Sequence, residues 1–232
     1  MIVRISSGIR GFDDLFGGMG SLPENTVTLL YGPPKVGKSL FSYAFAAGGA
    51  DSQEPCLYIS ADYGIADLKR NMEVLNMNPE ALIENELLYV IDAASSISGS
   101  AAEEGNTYLP SSVHNPTDIM VKVGVATRNI TRRYTMFRSV LDSLTTLMAF
   151  NDEMLVVRVL TAYMMRIKDA GGTALVTYTE GSADQKVETM LKAVVNNIIH
   201  LDGSRLTVEA MVGTGRLTAS YTIDEEGITV QP

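Results

Sequence analysis

An eight-residue segment near the amino terminus carries the clearest chemical motif of the chain. Residues 32–39 read G-P-P-K-V-G-K-S, which matches the phosphate-binding pattern G-x-x-x-x-G-K-[ST]. In such a loop the backbone N–H groups surround a polyphosphate, and the following helix points its positive end at it. The simpler interpretation is a Gly-Pro turn that only joins a strand to a helix. We predict phosphate contacts from a run of consecutive residues: Gly32, Pro33, Pro34, Lys35, Val36, Gly37, Lys38, Ser39 and Leu40.

Three side chains have the chemistry of a site for nucleotide and Mg²⁺. Lys38 would reach the terminal phosphates, and the Ser39 hydroxyl would hold the metal. Asp142 follows the apolar segment 137–141 and would supply the second acidic anchor, acting on Mg²⁺ through water. A carboxylate at the carboxyl end of a strand in an open α/β sheet lies in the crevice where ligands bind. The alternative role for Asp142 is to cap the next helix.

These side chains need a scaffold in which strands alternate with helices. Apolar, β-branched runs predict strands at 26–31, 56–60, 87–91, 137–141 and 173–179. Apolar residues at three-to-four spacing, together with start and stop signals, predict helices at 40–47, 65–75, 116–134, 152–170 and 186–194. The fold class is therefore α/β, with a mostly parallel central sheet covered by helices on both faces. The alternating tail at 197–230 predicts antiparallel edge strands.

Length and composition indicate a single globular domain. A chain of 232 residues with 46% hydrophobic and 19% charged residues can bury one α/β core, and we predict one unit over 1–232. Residues 93–115 are small and polar, rich in Ser, Gly, Ala and Glu, and predict a long mobile surface loop. Asn115 and Pro116 then mark the start of a helix, as cap and first residue.

The composition argues against several classes of function. A formal net charge of −9 disfavours non-specific binding to nucleic acid, because affinity for the phosphate backbone depends on Lys and Arg. The lone Cys56 lies in an apolar strand, which indicates a reducing compartment without disulfides. His114 and His200 are far apart without cysteine partners, which argues against zinc. No segment has the length of a signal peptide or membrane span, so we expect a cytoplasmic protein without membrane insertion.

The motifs, taken in order, resemble RecA-superfamily ATPases of the KaiC and archaeal RadA type. The similar segments are the opening at 5–18, the strand and loop at 27–39, the V-L-D-S-L strand at 140–144, the strand at 174–181 and the close at 223–230. The resemblance covers nearly the whole chain. It implies a RecA-like core that binds ATP and Mg²⁺. It also implies assembly into rings or filaments, either as a homo-oligomer or with other proteins, with nucleotide at the subunit interfaces.

The resemblance assigns further site residues, and at some of them the sequence departs from the family. Thr179 matches the strand that carries the sensor residues, so it would sense the γ-phosphate; a strand-end turn is the alternative. The family's water-polarising glutamate, often one of a pair, matches Ala61 and Asp62. Alanine cannot orient water, and Asp62 is one methylene shorter than glutamate, which leaves Asp62 as the catalytic candidate. Lys35 stands where small residues are common, and either adds charge near phosphate or points to solvent.

A second departure concerns the cations that KaiC-like modules present to the neighbouring subunit's phosphates. The matching strand reads T-V-E-A-M-V-G-T, with Ala210 and Val212 where a lysine and an arginine are expected. Such a cationic finger can contribute three or more orders of magnitude in rate. Arg205 and Arg216 flank this hairpin and are the candidates to replace it.

These departures predict nucleotide binding with weak or absent hydrolysis. A nucleotide that is held but slowly cleaved acts as a structural ligand or a switch, so we predict a regulatory or assembly subunit. The KaiC-like component of the archaellum motor is one setting that the resemblance permits. The first alternative is an active ring-forming ATPase that uses Asp62 as its base.

The second alternative is a nucleic-acid-binding recombinase paralogue. Its cationic surface would come from four arginines: Arg128, Arg132, Arg133 and Arg138. A solvated helix end with cations that complement the helix dipole explains the same residues. The segments that match the DNA-contacting loops of recombinases, 145–153 and 181–188, carry one lysine between them and several carboxylates. Nucleic acid is therefore not an expected partner.

Overall fold

Strands and helices alternate along the chain in the computed structural model, which describes residues 2–99 and 104–231. The strands are β1 Arg4–Ile5, β2 Leu22–Pro23, β3 Val27–Gly32, β4 Cys56–Ser60, β5 Leu88–Asp92, β6 Tyr108–Pro110, β7 Phe137–Asp142, β8 Gly172–Thr179, β9 Asn197–Leu201, β10 Arg205–Ala210, β11 Leu217–Asp224 and β12 Gly227–Gln231. The helices are α1 Lys38–Ala47, α2 Ile65–Val74, α3 Pro79–Glu84, α4 Ser95–Ser98, α5 Pro116–Thr131, α6 Leu144–Phe150, α7 Glu153–Asp169 and α8 Gln185–Val194.

One large sheet organises these elements. Its strand order is β12-β11-β10-β9-β3-β8-β7-β4-β5-β6, and the run from β9 to β6 is parallel throughout. Strands β10, β11 and β12 continue the sheet in antiparallel fashion, as the tail at 197–230 predicts. Strands β1 and β2 form a separate two-stranded sheet. The predicted mostly parallel α/β fold with antiparallel edge strands is confirmed.

Each face of the sheet is covered by an apolar layer, because side chains alternate along the strands. Leu57 and Ile59 of β4 pack into the layer beneath α5, α6, α7 and α8. Tyr58, between them, packs into the opposite layer with α1 and α2. Burial on both faces explains why the central strands are continuously apolar in sequence. Within the described ranges 2–99 and 104–231, no helix has the length and apolar character needed to cross a bilayer.

The segment 93–115 is more ordered than its composition predicts. Strand β6 adds in parallel to β5, with Tyr108 opposite Val90, and Val113 is completely buried. The prediction of a continuous surface loop is therefore wrong for the described part of this segment; residues 100–103 lie outside the described residues. A strand of three residues is too short to produce a period-two pattern in sequence. The predicted helix start is correct, since the Asn115 side chain accepts the Asp118 N–H.

The arginines between 128 and 138 do not share one surface. Arg138 lies inside β7 with its side chain 2% exposed, where its Nε donates to Glu54 at 2.9 Å. Arg133 pairs with Glu86 at the surface. Two arginines lie exposed on the last turn of α5 and at its end: Arg128 and Arg132. The grouping of Arg138 with a cationic surface is wrong, because its strand position turns it into the core beneath α1.

Candidate nucleotide-binding site

The predicted phosphate loop joins the central strand β3 to α1, at the carboxyl edge of the sheet. Gly32 ends the strand and Gly37 caps the helix. Gly37 has a φ of 95°, which favours glycine. A Cβ on Gly32 would lie 1.9 Å from the carbonyl oxygen of Leu201 in β9. The two glycines therefore let the backbone turn sharply beside the neighbouring strand.

The backbone of this loop offers hydrogen-bond donors to a ligand. In the part of the chain that the structure describes, the N–H groups of Lys35, Val36 and Gly37 have no protein acceptor. Lys35 adopts a left-handed φ of 63° and is exposed at the tip of the loop. Successive free N–H groups at the start of a helix form a concave site for anions. This arrangement fits a polyphosphate.

Lys38 lies inside the phosphate loop, from which it is predicted to reach the terminal phosphates. Its Nζ donates to the carbonyl oxygens of Gly32 at 2.9 Å and Pro33 at 2.6 Å. Burial lowers the pKa of Lys38, while the charges of Asp142 and Asp62 act in the opposite direction. A polyphosphate at the loop would exchange these two carbonyl contacts for charge-assisted hydrogen bonds.

Asp142 and Ser39 lie together, as a shared metal site requires. Asp142 ends β7 and is 3% exposed, and the Ser39 hydroxyl is close enough to act on its pKa. Its Oδ1 accepts the Thr177 hydroxyl at 2.5 Å, and its Oδ2 accepts the Tyr58 hydroxyl at 2.8 Å. Burial, and then the charge of Asp62, raise the pKa of Asp142 to about 6, against the hydrogen bonds that lower it.

This donor set fits a magnesium ion. A carboxylate oxygen and a serine hydroxyl are the hard ligands that Mg²⁺ takes alongside water and phosphate. When bound there, Mg²⁺ would neutralise charge on the β- and γ-phosphates. Ser39 would contact the metal and Asp142 would hold its water, with Lys38 on the phosphate side of the same crevice.

Asp62 lies beside this site, and one of its two carboxylate oxygens is hydrogen-bonded to α6. Its Oδ1 accepts the Ser143 hydroxyl at 2.8 Å and also the Thr146 hydroxyl, both from the amino-terminal end of α6. Ala61 is 1% exposed and packs into the apolar layer beneath α5 to α7. Strand alternation therefore turns position 61 away from the crevice and leaves position 62 facing it.

Thr179 ends β8 directly beside the phosphate loop. It is paired with Gly32 in the sheet register, and its N–H donates to the Thr145 hydroxyl at 2.8 Å. The next residue, Glu180, donates its N–H to the Gly32 carbonyl at 3.0 Å. The predicted sensor position therefore contacts both the loop and the start of α6.

The hairpin between β10 and β11 carries no lysine or arginine at positions 210 and 212. Val212 is 41% exposed, and its carbonyl accepts a hydrogen bond from the Arg4 guanidinium at 3.1 Å. The two predicted replacement cations, Arg205 and Arg216, are exposed on either side of this hairpin. Arg205 lies 3.9 Å from Asp202 of its own turn.

Several site residues were missed in the sequence. Tyr58, Thr177 and Thr145 contact Asp142 or Thr179, and each lies in or beside a segment that was chosen for other reasons. A hydroxyl residue inside a buried strand is the signal that could have identified Tyr58 and Thr177, because a buried donor needs a partner. Their partner is an aspartate in a neighbouring strand, which sequence spacing does not reveal.

The fold and the site together define a P-loop nucleotide-binding protein with a RecA-like core. The family model described as "ATPase: KaiC" matches residues 5–232. The chain belongs to this KaiC family.

Relatives span the full length of the chain. A UPF0273 protein of Methanopyrus kandleri is 28% identical over 243 residues, which cover 100% of this chain and 93% of the relative. A circadian clock oscillator protein KaiC of Parathermosynechococcus lividus is 29% identical over 246 residues, but this chain spans 43% of it. The crystal structure of a KaiC-like protein from Pyrococcus horikoshii matches with a TM-score of 0.76 at 21% identity and full coverage of both chains. That structural match concerns the fold.

Proposed function

We propose that this protein binds Mg·ATP and hydrolyses it slowly or not at all, and that the bound nucleotide controls assembly or a partner protein. Lys38 and the loop N–H groups hold the phosphates, and Thr179 senses the terminal one. Ser39 and Asp142 hold the metal. The observation that carries this proposal is the contrast between a complete binding site and a carboxylate, Asp62, that is engaged with α6.

The binding half of the proposal is supported by the groups that converge on the crevice. The unpaired N–H groups of the loop, the Lys38 ammonium and the Ser39–Asp142 pair lie at the carboxyl edge of one parallel sheet. Ligands bind at this edge in open α/β sheets. Membership of the KaiC ATPase family supports an adenine nucleotide as the ligand.

The weak-hydrolysis half is supported by two features. A general base must be positioned to accept a proton from water in the transition state, and Asp62 is shorter than glutamate and is held toward α6 by the two hydroxyls on its Oδ1. The hairpin presents Ala210 and Val212 where a cationic finger would be needed. Loss of such a finger lowers the rate by about three orders of magnitude or more.

The test measures nucleotide binding and phosphate release on one purified sample with Mg·ATP. We expect saturable binding with phosphate release near background. Lys38→Ala removes the phosphate contact and should abolish binding, whereas Lys186→Ala, an exposed lysine on α8, should not. Turnover of about one per minute or faster would contradict the proposal and support the active ATPase. Absence of binding by the wild-type protein would contradict both.

The proposed control of assembly or of a partner protein needs a separate measurement. Light scattering of the same protein with and without Mg·ATP should show a nucleotide-dependent change in the mass of the assembly. If it does not, a capture experiment should recover a partner protein only in the presence of nucleotide. An unchanged mass together with no nucleotide-dependent partner would contradict assembly control. The archaellum motor is one setting that fits this proposal.

A further inference from the structure

The Tyr58 side chain lies next to the metal carboxylate, on the face of the sheet that α1 and α2 cover. Tyr58 is completely buried in β4, and its ring stacks on Tyr43 of α1 at a centroid distance of 5.9 Å. Its hydroxyl donates to Asp142 Oδ2 at 2.8 Å across the strand pair β4–β7. The ring is therefore fixed by packing, and its hydroxyl has one partner at a defined distance.

Asp142 is held from two neighbouring strands at once. Thr177 of β8 donates to Oδ1 and Tyr58 of β4 donates to Oδ2, so each oxygen receives one hydroxyl from within the sheet. An ionised carboxylate has about four acceptor sites, so two are left over for Ser39 and for a metal-bound water. Removal of either hydroxyl would leave an oxygen without its donor and free the carboxylate to rotate.

We propose that Tyr58 is a positioning residue for the magnesium site, acting through Asp142 without touching nucleotide. This inference rests on the proposed function. Groups that orient a metal ligand typically change metal affinity about 10- to 100-fold when they are removed. The effect of Tyr58 should therefore appear in the magnesium-dependent part of nucleotide binding and be absent from the magnesium-free part.

The experiment compares Tyr58→Phe with Tyr163→Phe. Tyr163 is a matched control, because it is also completely buried and its hydroxyl bonds Ser139 of the same strand β7 at 2.7 Å. Affinity for the non-hydrolysable analogue AMP-PNP is measured by calorimetry in excess MgCl₂ and again in excess EDTA. We expect Tyr58→Phe to weaken binding about tenfold in MgCl₂ and to leave binding in EDTA unchanged. Tyr163→Phe should change neither affinity.

Two outcomes would overturn the inference. In the first, Tyr58→Phe binds AMP-PNP in MgCl₂ with unchanged affinity. In the second, Tyr58→Phe loses affinity for AMP-PNP equally in MgCl₂ and in EDTA, which would indicate a general structural defect. Failure of the proposed function is distinguishable, because the wild-type protein itself would then not bind AMP-PNP in MgCl₂.

A second pair of variants keeps the test informative if Tyr58→Phe alone does not fold. Asp142→Asn removes the buried charge that needs the tyrosine donor, so Tyr58→Phe should be tolerated in that background. If Tyr58 acts through Asp142, adding Tyr58→Phe to Asp142→Asn should not change the MgCl₂ affinity further. An additional loss of tenfold or more in the double variant would contradict the inference.

Discussion

The Tyr221 hydroxyl donates a hydrogen bond to the Val36 carbonyl at 2.7 Å, which connects the antiparallel end of the sheet to the phosphate loop. The same hydroxyl accepts the Gly203 N–H at 2.9 Å, so the turn between β9 and β10 joins the contact. Beside it, Ile223 lies against Gly37, where a Cβ would be 2.8 Å from its Cδ1. The conformation of the loop is therefore coupled to the C-terminal strands as well as to β3 and α1.

Removal of this hydroxyl should loosen the loop. We expect Tyr221→Phe to lower the free energy of unfolding by about 1 kcal/mol, the usual contribution of one buried hydrogen bond. It should also raise the Kd for Mg·ATP a few-fold, because the loop must then be ordered by the ligand. Denaturant unfolding and calorimetry measure the two effects. Tyr163→Phe is the control, and an equal rise in its Kd would show that the effect is not specific to the loop contact.

The sequence was sufficient for the scaffold and for the groups whose spacing is local. The loop 32–39, the strand ending in Asp142 and the alternating tail each lie within one stretch of chain, so periodicity and motif could identify them. The contacts of Asp142 with Tyr58 and Thr177 link residues 84 and 35 positions apart in sequence, and only the strand order brings them together.

Helix α6 is a second example of a contact that the sequence does not reveal. Residues 144–150 contain two consecutive threonines, and the segment 145–153 was matched to a DNA-contacting loop in recombinases. The structure instead forms a helix there, with Ser143 as its cap and Asp62 as an outside acceptor. The sequence suggested Asp142 as the alternative cap of the next helix, whereas Ser143 caps it, and it did not reveal the distant carboxylate that contacts its first turn.

Asp62 should therefore act mainly as an anchor for α6. We expect Asp62→Ala to speed hydrogen exchange of the α6 amides about fivefold, as loss of about 1 kcal/mol of local stability predicts. Phosphate release should stay at the wild-type level. Asp67→Ala is the control, since this exposed carboxylate pairs with Arg70 on α2. A tenfold or greater fall in phosphate release for Asp62→Ala alone would instead identify Asp62 as the base of an active ATPase.

Asp142 should reduce the stability of the nucleotide-free protein at neutral pH. Its pKa is raised to about 6 from an ordinary value of 3.8, so the folded state favours the protonated form. The stabilisation from that proton is present at low pH and is lost as pH rises through 6. Between pH 8 and pH 5 the wild-type protein should therefore gain about 1 kcal/mol relative to Asp142→Asn, which cannot take up the proton.

Denaturant unfolding of both proteins at the two pH values, without nucleotide, measures this difference. Asp142→Asn should be the more stable protein at pH 8, and its advantage should shrink at pH 5. A stability difference that does not change with pH would show that Asp142 does not titrate in this range. The expected outcome, a greater stability of Asp142→Asn at pH 8, would mean that the carboxylate that serves the metal is maintained at a cost in stability.

Gly32 should be the least replaceable glycine of the loop. A methyl group there would lie 1.9 Å from the Leu201 carbonyl oxygen, which belongs to the backbone of the neighbouring strand β9. Because neither strand can shift without breaking the β3–β9 ladder, we expect Gly32→Ala to lower the free energy of unfolding by about 3 kcal/mol or more. Gly215→Ala is the matched control, since a Cβ there meets nothing within 4 Å. Denaturant unfolding of both variants measures this difference. A loss of unfolding free energy below about 1 kcal/mol for Gly32→Ala would mean that β9 can move away from the phosphate loop. The loop would then be less rigid than its contacts indicate.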